Sequence, residues 1–269
     1  MKSIYISLLL IFLIIFSTAA TQLLGRPNND GWNTRKSDHF IIKYRTANAF
    51  IEDVARLAEM YYHTIEKRLE LNRFDRFWTW DNRCHIIIYD TQDAYRNETG
   101  MPEWSGGCVD YEKKIIHTFP WADNFLEVLL PHEIAHIVFR EYIKNNPAVP
   151  LWIDEGIAQY YERNADMRMR AILDSAERNA TLISMERLMS IRSIKHEGSD
   201  PQVMLFYAQS KSIISFMIER YGQKRFAEFI RQLRQGKPVE DALRFTYTGT
   251  IDSLNALEQK WIESIRNSR

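Results

Sequence analysis

The sequence predicts an α+β fold with a strand-rich N-terminal lobe and a helical C-terminal lobe. Residues 40–44 alternate between the two faces of a strand, and residues 84–89 form a continuous apolar run rich in isoleucine, typical of a buried strand. Two apolar stretches within residues 109–119 flank the charged triplet at 112–114, which predicts a hairpin at the edge of a mixed sheet. After Trp121 the apolar spacing becomes helical, and strands followed by helices are the order of an α+β domain.

Helical periodicity predicts most of the remaining elements. Apolar residues recur at helical spacing over residues 47–71, and residues 91–107 are rich in turn formers, which indicates a loop with a short helix. A later helix carries residues 129–139, and Pro131 kinks or restarts it because proline has no N–H for the Glu127 carbonyl. Further helices are predicted at residues 151–163, 165–179, 203–221, 223–235, 239–245 and 253–267.

The first 20 residues have the order of an export signal. Lys2 precedes an apolar run of 13 residues, and the small residues 17–20 follow it. A spanning helix needs about 20 apolar residues, so we expect cleavage and a secreted, periplasmic or cell-envelope location. The alternative is an uncleaved N-terminal membrane anchor. Residues 21–36 are polar and rich in turn formers, which predicts a linker before one domain at residues 37–269.

The composition argues against nucleic acid as a partner. Lys plus Arg total 35 and Asp plus Glu total 35, and no basic block or aromatic-basic stripe interrupts the chain. The chain therefore lacks the positive field that nucleic-acid binding requires. Cys84 and Cys108 either pair as a disulfide in an oxidising compartment or remain two separate buried thiols, and the sequence leaves both alternatives open.

Two histidines and a glutamate lie in the otherwise apolar segment LLPHEIAHIVF. His132 and His136 are four residues apart, so a helix presents both imidazoles on one face, a spacing typical of zinc hydrolases. In such enzymes a glutamate at the position of Glu133 takes a proton from the zinc-bound water. Glu155 follows 19 positions after His136, and two histidines with one carboxylate are an established zinc ligand set. The break NNPAVP at residues 145–150 allows a second helix to return antiparallel with Glu155.

The HExxH motif, 18 intervening residues and a glutamate in the context W-x-x-E-G-x-A resemble the gluzincin metallopeptidases, which include thermolysin-like, aminopeptidase-type and peptidase MA-like proteins. Residues 207–222 are similar to the downstream helix of the peptidase MA-like proteins. The resemblance implies a thermolysin-like architecture and one zinc ion per chain, bound by His132, His136 and Glu155. It also implies Glu133 as general base and a peptide or protein substrate. The metallopeptidase domain is then expected to comprise a strand-rich lobe at 37–121, zinc-binding helices at 122–164 and a helical lobe at 165–269.

Two positions depart from the pattern of the gluzincins. Aminopeptidase-type members carry a G-x-M-E-N stretch whose glutamate binds the free amine of the substrate, whereas residues 106–110 here read GGCVD. Internal cleavage is therefore expected rather than removal of N-terminal residues. Four residues after the third ligand an acidic residue is common in the family. This chain has Gln159 there, whose amide oxygen is able to accept a hydrogen bond from a ligand histidine.

Gluzincins also supply a tyrosine or histidine that donates a hydrogen bond to the oxyanion of the transition state. Tyr207 lies in the first turns of the helix that resembles the family's downstream helix, and it is the expected donor. The alternative, that its ring only packs in the helical lobe, stays open. Tyr160, Tyr161 and His196 are weaker candidates for the same role.

Together these features predict an exported, zinc-dependent metallopeptidase that hydrolyses peptide bonds. An edge strand of the hairpin at 109–119 would pair with an extended substrate. The alternative from another class is a non-hydrolytic zinc-binding envelope protein, or an anchored scaffold, built on the same fold. The presence of Glu133 argues against that alternative, because zinc binding alone does not require a glutamate at this position. A membrane is a partner only if the N-terminal segment stays uncleaved.

Overall fold

The computed structural model describes residues 31–70, 78, 82–103, 105–162, 166–194 and 200–267. Their order of strands and helices agrees with the predicted α+β class. The predicted signal at residues 1–20 lies outside the described residues. Within the described part of the chain, no helix is both long enough and apolar enough to span a membrane.

A mixed sheet lies in the first of two compact units, which comprises the described residues within 31–59 and 78–123. Among the described residues it has five strands: β1 (Asn33–Lys36), β2 (Phe40–Tyr44), β3 (Cys84–Ile88), β4 (Gly107–Asp110) and β5 (Ile115–Thr118). Their order across the sheet is β1-β2-β3-β5-β4. The three central strands are parallel, and each edge strand is antiparallel to its neighbour. The mixed sheet and its edge hairpin are thus confirmed.

Burial alternates along the central strands because successive side chains of a strand point to opposite faces. In β2 the side chains of Phe40, Ile42 and Tyr44 are buried, as predicted from the alternation. Helix α1 (Ala49–Arg68) supplies the crossover that the parallel pair β2–β3 requires. A short helix, α2 (Gln92–Thr99), follows β3, where the sequence indicated a loop with a short helix.

The end of the segment expected to be a linker forms the edge strand β1. Residues Asn33–Lys36 pair antiparallel with β2. All four side chains are at least partly exposed, so neither face of the strand is buried. The apolar alternation by which a strand is recognised in a sequence is therefore absent there.

The two cysteines do not form a disulfide in the structure. Cys84 lies on β3 and Cys108 on β4, and β5 separates these two strands. Neighbouring strands are about 4.8 Å apart, so strands two positions apart are about 10 Å apart. A disulfide needs Cα atoms within about 7 Å, which this topology does not provide.

The second compact unit is helical and includes residues 60–70 and 124–267 of the described chain. Its later helices are α3 (Leu130–Tyr142), α4 (Leu151–Tyr161), α5 (Asp166–Arg178), α6 (Met185–Ser190), α7 (Pro201–Tyr221), α8 (Gln223–Arg234), α9 (Val239–Thr246) and α10 (Leu254–Asn267). All but α6 were predicted, with ends that differ by a few residues. Helix α4 packs against both α3 and α7, so it lies between two neighbours.

Pro131 is accommodated by a π-helical turn, Phe125–Leu129, directly before α3. The Leu130 N–H bonds to the Phe125 carbonyl, five residues back. With the same spacing of five residues, the N–H of residue 131 would bond to the Leu126 carbonyl. Proline has no N–H, so it cannot donate this hydrogen bond. The hydroxyl of Tyr61 donates a hydrogen bond to that carbonyl instead, over 2.9 Å. The α-helix α3 therefore begins at Leu130, with Pro131 in its first turn, where a missing N–H is tolerated.

Replacing Tyr61 by Phe should lower the free energy of unfolding by about 1–3 kcal/mol, because the Leu126 carbonyl would lose its donor in a part-buried place. Denaturant unfolding measures this difference. Tyr111→Phe removes a hydroxyl from an exposed side chain and should change stability by less than about 0.5 kcal/mol. Equal stability of the two variants would contradict the role assigned to Tyr61.

Candidate metal centre and active site

The structure brings together the three predicted metal ligands. His132 and His136 lie one turn apart on α3, and their Nε2 atoms are 3.0 Å apart. Glu155 lies on α4, with its Oε2 atom 3.8 Å from His132 Nε2 and 3.5 Å from His136 Nε2. His136 is almost fully buried, whereas the other two side chains retain partial exposure. The cluster is thus largely buried but retains some access to solvent.

The donor set fits a zinc ion. In a tetrahedral site with bonds of about 2.0–2.1 Å, ligand atoms lie roughly 3.3 Å from one another. The observed separations of 3.0, 3.5 and 3.8 Å are close to that value. Because the Nδ1 atoms of both histidines face carboxylates, their Nε2 lone pairs and the Glu155 carboxylate converge on one point. This convergence of lone pairs and a carboxylate is suited to a cation.

Two further carboxylates orient the histidines. His132 Nδ1 donates a hydrogen bond to Glu162 Oε1 over 2.6 Å, and His136 Nδ1 donates to Asp154 Oδ1 over 2.8 Å. A carboxylate on Nδ1 fixes the proton there, orients the ring and makes Nε2 a better metal ligand. Asp154 directly precedes Glu155 on α4, and Glu162 caps the end of that helix.

Neither of these carboxylates was predicted from the sequence. Gln159 was the expected hydrogen-bond acceptor for a ligand histidine, but in the structure the Nδ1 atoms of both histidines bond to the two carboxylates instead. The side chain of Gln159 is buried, and its Oε1 atom accepts no hydrogen bond within the described residues. The spacing of Glu162 could have indicated its role. It lies seven residues after Glu155, two helical turns along the same face of the helix.

The buried charges around His136 are strongly coupled. Burial disfavours the charged imidazole, but the charges and hydrogen bonds of Asp154 and Glu155 together outweigh this effect and raise the pKa of His136 to about 10. Burial alone would raise the pKa of Asp154, yet His136 and Arg140 together hold it below its ordinary value. The pKa of Glu155 is lowered against burial as well, by its contact with His136. Metal binding to this cluster would therefore compete with protons.

The expected general base and oxyanion donor also lie in this region. Glu133 is half-buried on α3, next to the ligand His132. Tyr207 is half-buried on α7; burial raises the pKa of its phenol, and the negative charges of Glu155 and Glu133 raise it further. The phenol therefore stays protonated at neutral pH.

Close packing of two helices sets the distance between Tyr207 and the ligand helix. A side chain at Gly156 would place its Cβ 2.6 Å from the Ser210 carbonyl oxygen and 2.7 Å from Ile214 Cγ1. Only glycine allows α4 and α7 to approach this closely. Ser210 lies one turn after Tyr207, so Tyr207 belongs to the part of α7 that packs against α4.

The weaker candidates for the oxyanion donor have other contacts or lie outside the described residues. The rings of Tyr160 and Tyr161 contact each other, and the guanidinium of Arg68 lies over both. Tyr161 is buried, and burial raises the pKa of its phenol. His196 belongs to residues 195–199, which the structure does not describe.

Comparison with known families agrees with this geometry. The sequence profile of the peptidase MA superfamily matches residues 79–267, a range that includes the HEIAH motif, Glu155 and Tyr207. No curated protein sequence matches the chain significantly. The matched range covers more than half of the chain and contains the complete ligand cluster. The chain therefore belongs to the peptidase MA superfamily.

Proposed function

We propose that this protein is a zinc-dependent metallopeptidase that cleaves peptide bonds inside peptide or protein chains. One observation carries the proposal: His132, His136 and Glu155 converge on one point, with both histidines held by carboxylates at Nδ1. These three residues would hold one zinc ion, leaving the fourth position of a catalytic site open.

The chain supplies the groups that peptide hydrolysis requires. When bound, zinc acts as a Lewis acid that polarises a water molecule and the scissile carbonyl. The Glu133 carboxylate accepts the proton of the attacking water and then gives it to the leaving nitrogen. The Tyr207 hydroxyl donates a hydrogen bond to the carbonyl oxygen as negative charge develops on it. The carboxylates of Asp154 and Glu162 hold the protons on Nδ1 of the two histidines throughout.

Replacing Tyr207 by Phe should reduce kcat by about 10²-fold, the usual contribution of one oxyanion donor. Zinc content and stability should change little, since the substitution removes a hydroxyl from a half-buried ring that is not a metal ligand. Steady-state kinetics on a fluorogenic peptide measures the effect. Tyr221→Phe, at the far end of the same helix, is the matched control and should retain kcat. An unaltered kcat in the Tyr207 variant would mean that the Tyr207 ring contributes only to packing and not to catalysis.

Internal cleavage rather than aminopeptidase action follows from the absence of a glutamate in residues 106–110. Two matched peptide libraries, one with acetylated and one with free N-termini, digested by the zinc-loaded protein, test both hydrolysis and its position. We expect fragments from internal bonds. Removal of single residues from free N-termini alone would contradict the endopeptidase assignment. No cleavage by a protein that binds zinc would instead favour the non-hydrolytic zinc-binding alternative.

Export and architecture belong to the same proposal. The order of residues 1–20 supports a cleaved signal and a secreted, periplasmic or cell-envelope protein. Mass spectrometry of the mature N-terminus distinguishes this from an uncleaved membrane anchor. The helix pair α3 and α4, with HExxH on one helix and Glu155 on the other, supports a thermolysin-like arrangement of the domain at residues 37–269.

A further inference from the structure

Arg140 shares the carboxylate of Asp154 with the ligand His136. Its Nε and Nη2 atoms both lie 2.7 Å from Asp154 Oδ2, while the other oxygen, Oδ1, is 2.8 Å from His136 Nδ1. Arg140 lies one turn after His136 on α3, and Asp154 lies on α4. Each oxygen of the buried carboxylate thus has its own partner.

We infer that Arg140 is a positioning residue of the metal centre, which sets zinc affinity by fixing Oδ1 of Asp154 on His136 Nδ1. This inference rests on the proposed zinc centre. The rigid fork of the guanidinium holds Oδ2 and leaves Oδ1 directed at the imidazole. The imidazole then keeps its proton on Nδ1 and presents the Nε2 lone pair to the metal.

The local structure explains why this function needs Arg140. The last torsion of an aspartate side chain has a broad energy profile, so a carboxylate held at one oxygen only turns easily. A cavity of about 210 Å³ adjoins the pair and is lined by Arg140 and Asp154, with room for water. Without Arg140, water would compete with His136 for the carboxylate, and the ring would lose its fixed orientation.

Zinc affinity, measured by competition with a chelator, tests the inference without relying on catalysis. Arg140→Gln should weaken zinc binding by about 10–100-fold, the usual effect of losing a group that orients a ligand. Arg140→Lys should weaken it less, because its ammonium still donates to Oδ2 but lacks the fork. Arg140→Lys also serves as the test if Arg140→Gln does not fold. Wild-type affinity in a folded Arg140→Gln or Arg140→Lys variant would overturn the inference.

Arg266 provides a matched control in the same unit. Its Nε atom lies 2.7 Å from Glu177 Oε1, and the Glu177 side chain is only 8% exposed. Arg266→Gln therefore breaks another pair between an arginine and a buried carboxylate, one that includes none of the three ligand residues. Its zinc affinity should equal that of the wild type. An equal loss of affinity in both variants would mean that zinc binding follows general stability, and would overturn the inference.

A double-mutant cycle with Asp154→Asn tests whether Arg140 acts through Asp154. If it does, Arg140→Gln should change zinc affinity little in the Asp154→Asn background. Simple addition of the two effects would overturn the inference. Zinc-loaded wild-type protein that cleaves no peptide would contradict the proposed function and leave the assignment of Arg140 intact. Wild-type protein that binds no zinc would overturn both.

Discussion

Replacing both His132 and His136 by Ala should abolish zinc binding. Two of the three ligands of the proposed site are lost, and Glu155 alone cannot hold the ion in competition with water. Elemental analysis of the purified variant measures the zinc content, which should fall from about one ion per chain to none. Unchanged zinc content would contradict the ligand assignment.

The same double variant should also be less stable in the presence of zinc. A ligand that binds only the folded state adds about 2.7 kcal/mol to stability at a concentration 100 times its dissociation constant. The gain in thermal stability on adding zinc should therefore disappear. His85→Ala combined with His117→Ala is the control, because neither belongs to a potential metal-binding group among the described residues. That control should keep both the zinc and the zinc-dependent gain in stability.

The parts of the fold that bury one face could be predicted from the sequence. Residues Phe40–Tyr44 bury alternate side chains, so their sequence carries the period of a strand. The edge strand β1 has no buried face, and its sequence NTRK gives no such pattern. Helix α6 has only six residues, fewer than two turns, which is too short for a clear helical period.

The cluster of candidate metal ligands was predictable for a different reason. His132 and His136 lie on one helix, so helical geometry alone determines that their side chains share a face. Asp154 and Arg140 lie on different helices, and their contact depends on how α3 and α4 are packed and rotated. Sequence spacing does not specify that rotation. The residues that orient the ligands therefore became visible only in the structure.

Replacing Glu133 by Gln should lower kcat by about 10²–10⁴-fold, the range attributed to general acid–base catalysis. Glutamine has nearly the same size as glutamate but cannot accept the proton of the attacking water. Glu133 is not among the three residues of the ligand cluster, so zinc content should remain at about one ion per chain. Steady-state kinetics and elemental analysis on the same preparation measure both quantities.

Glu141→Gln is the matched control for the general base, because it makes the same chemical change two turns further along α3. It should retain both kcat and zinc. If Glu133→Gln loses activity but keeps zinc, and Glu141→Gln keeps both, Glu133 is needed for proton transfer and not for metal binding. That result would also distinguish the peptidase from a zinc-binding protein without hydrolytic activity, since only hydrolysis needs a base at this position. Full activity in Glu133→Gln would remove this residue from the mechanism, and another group would have to accept the proton.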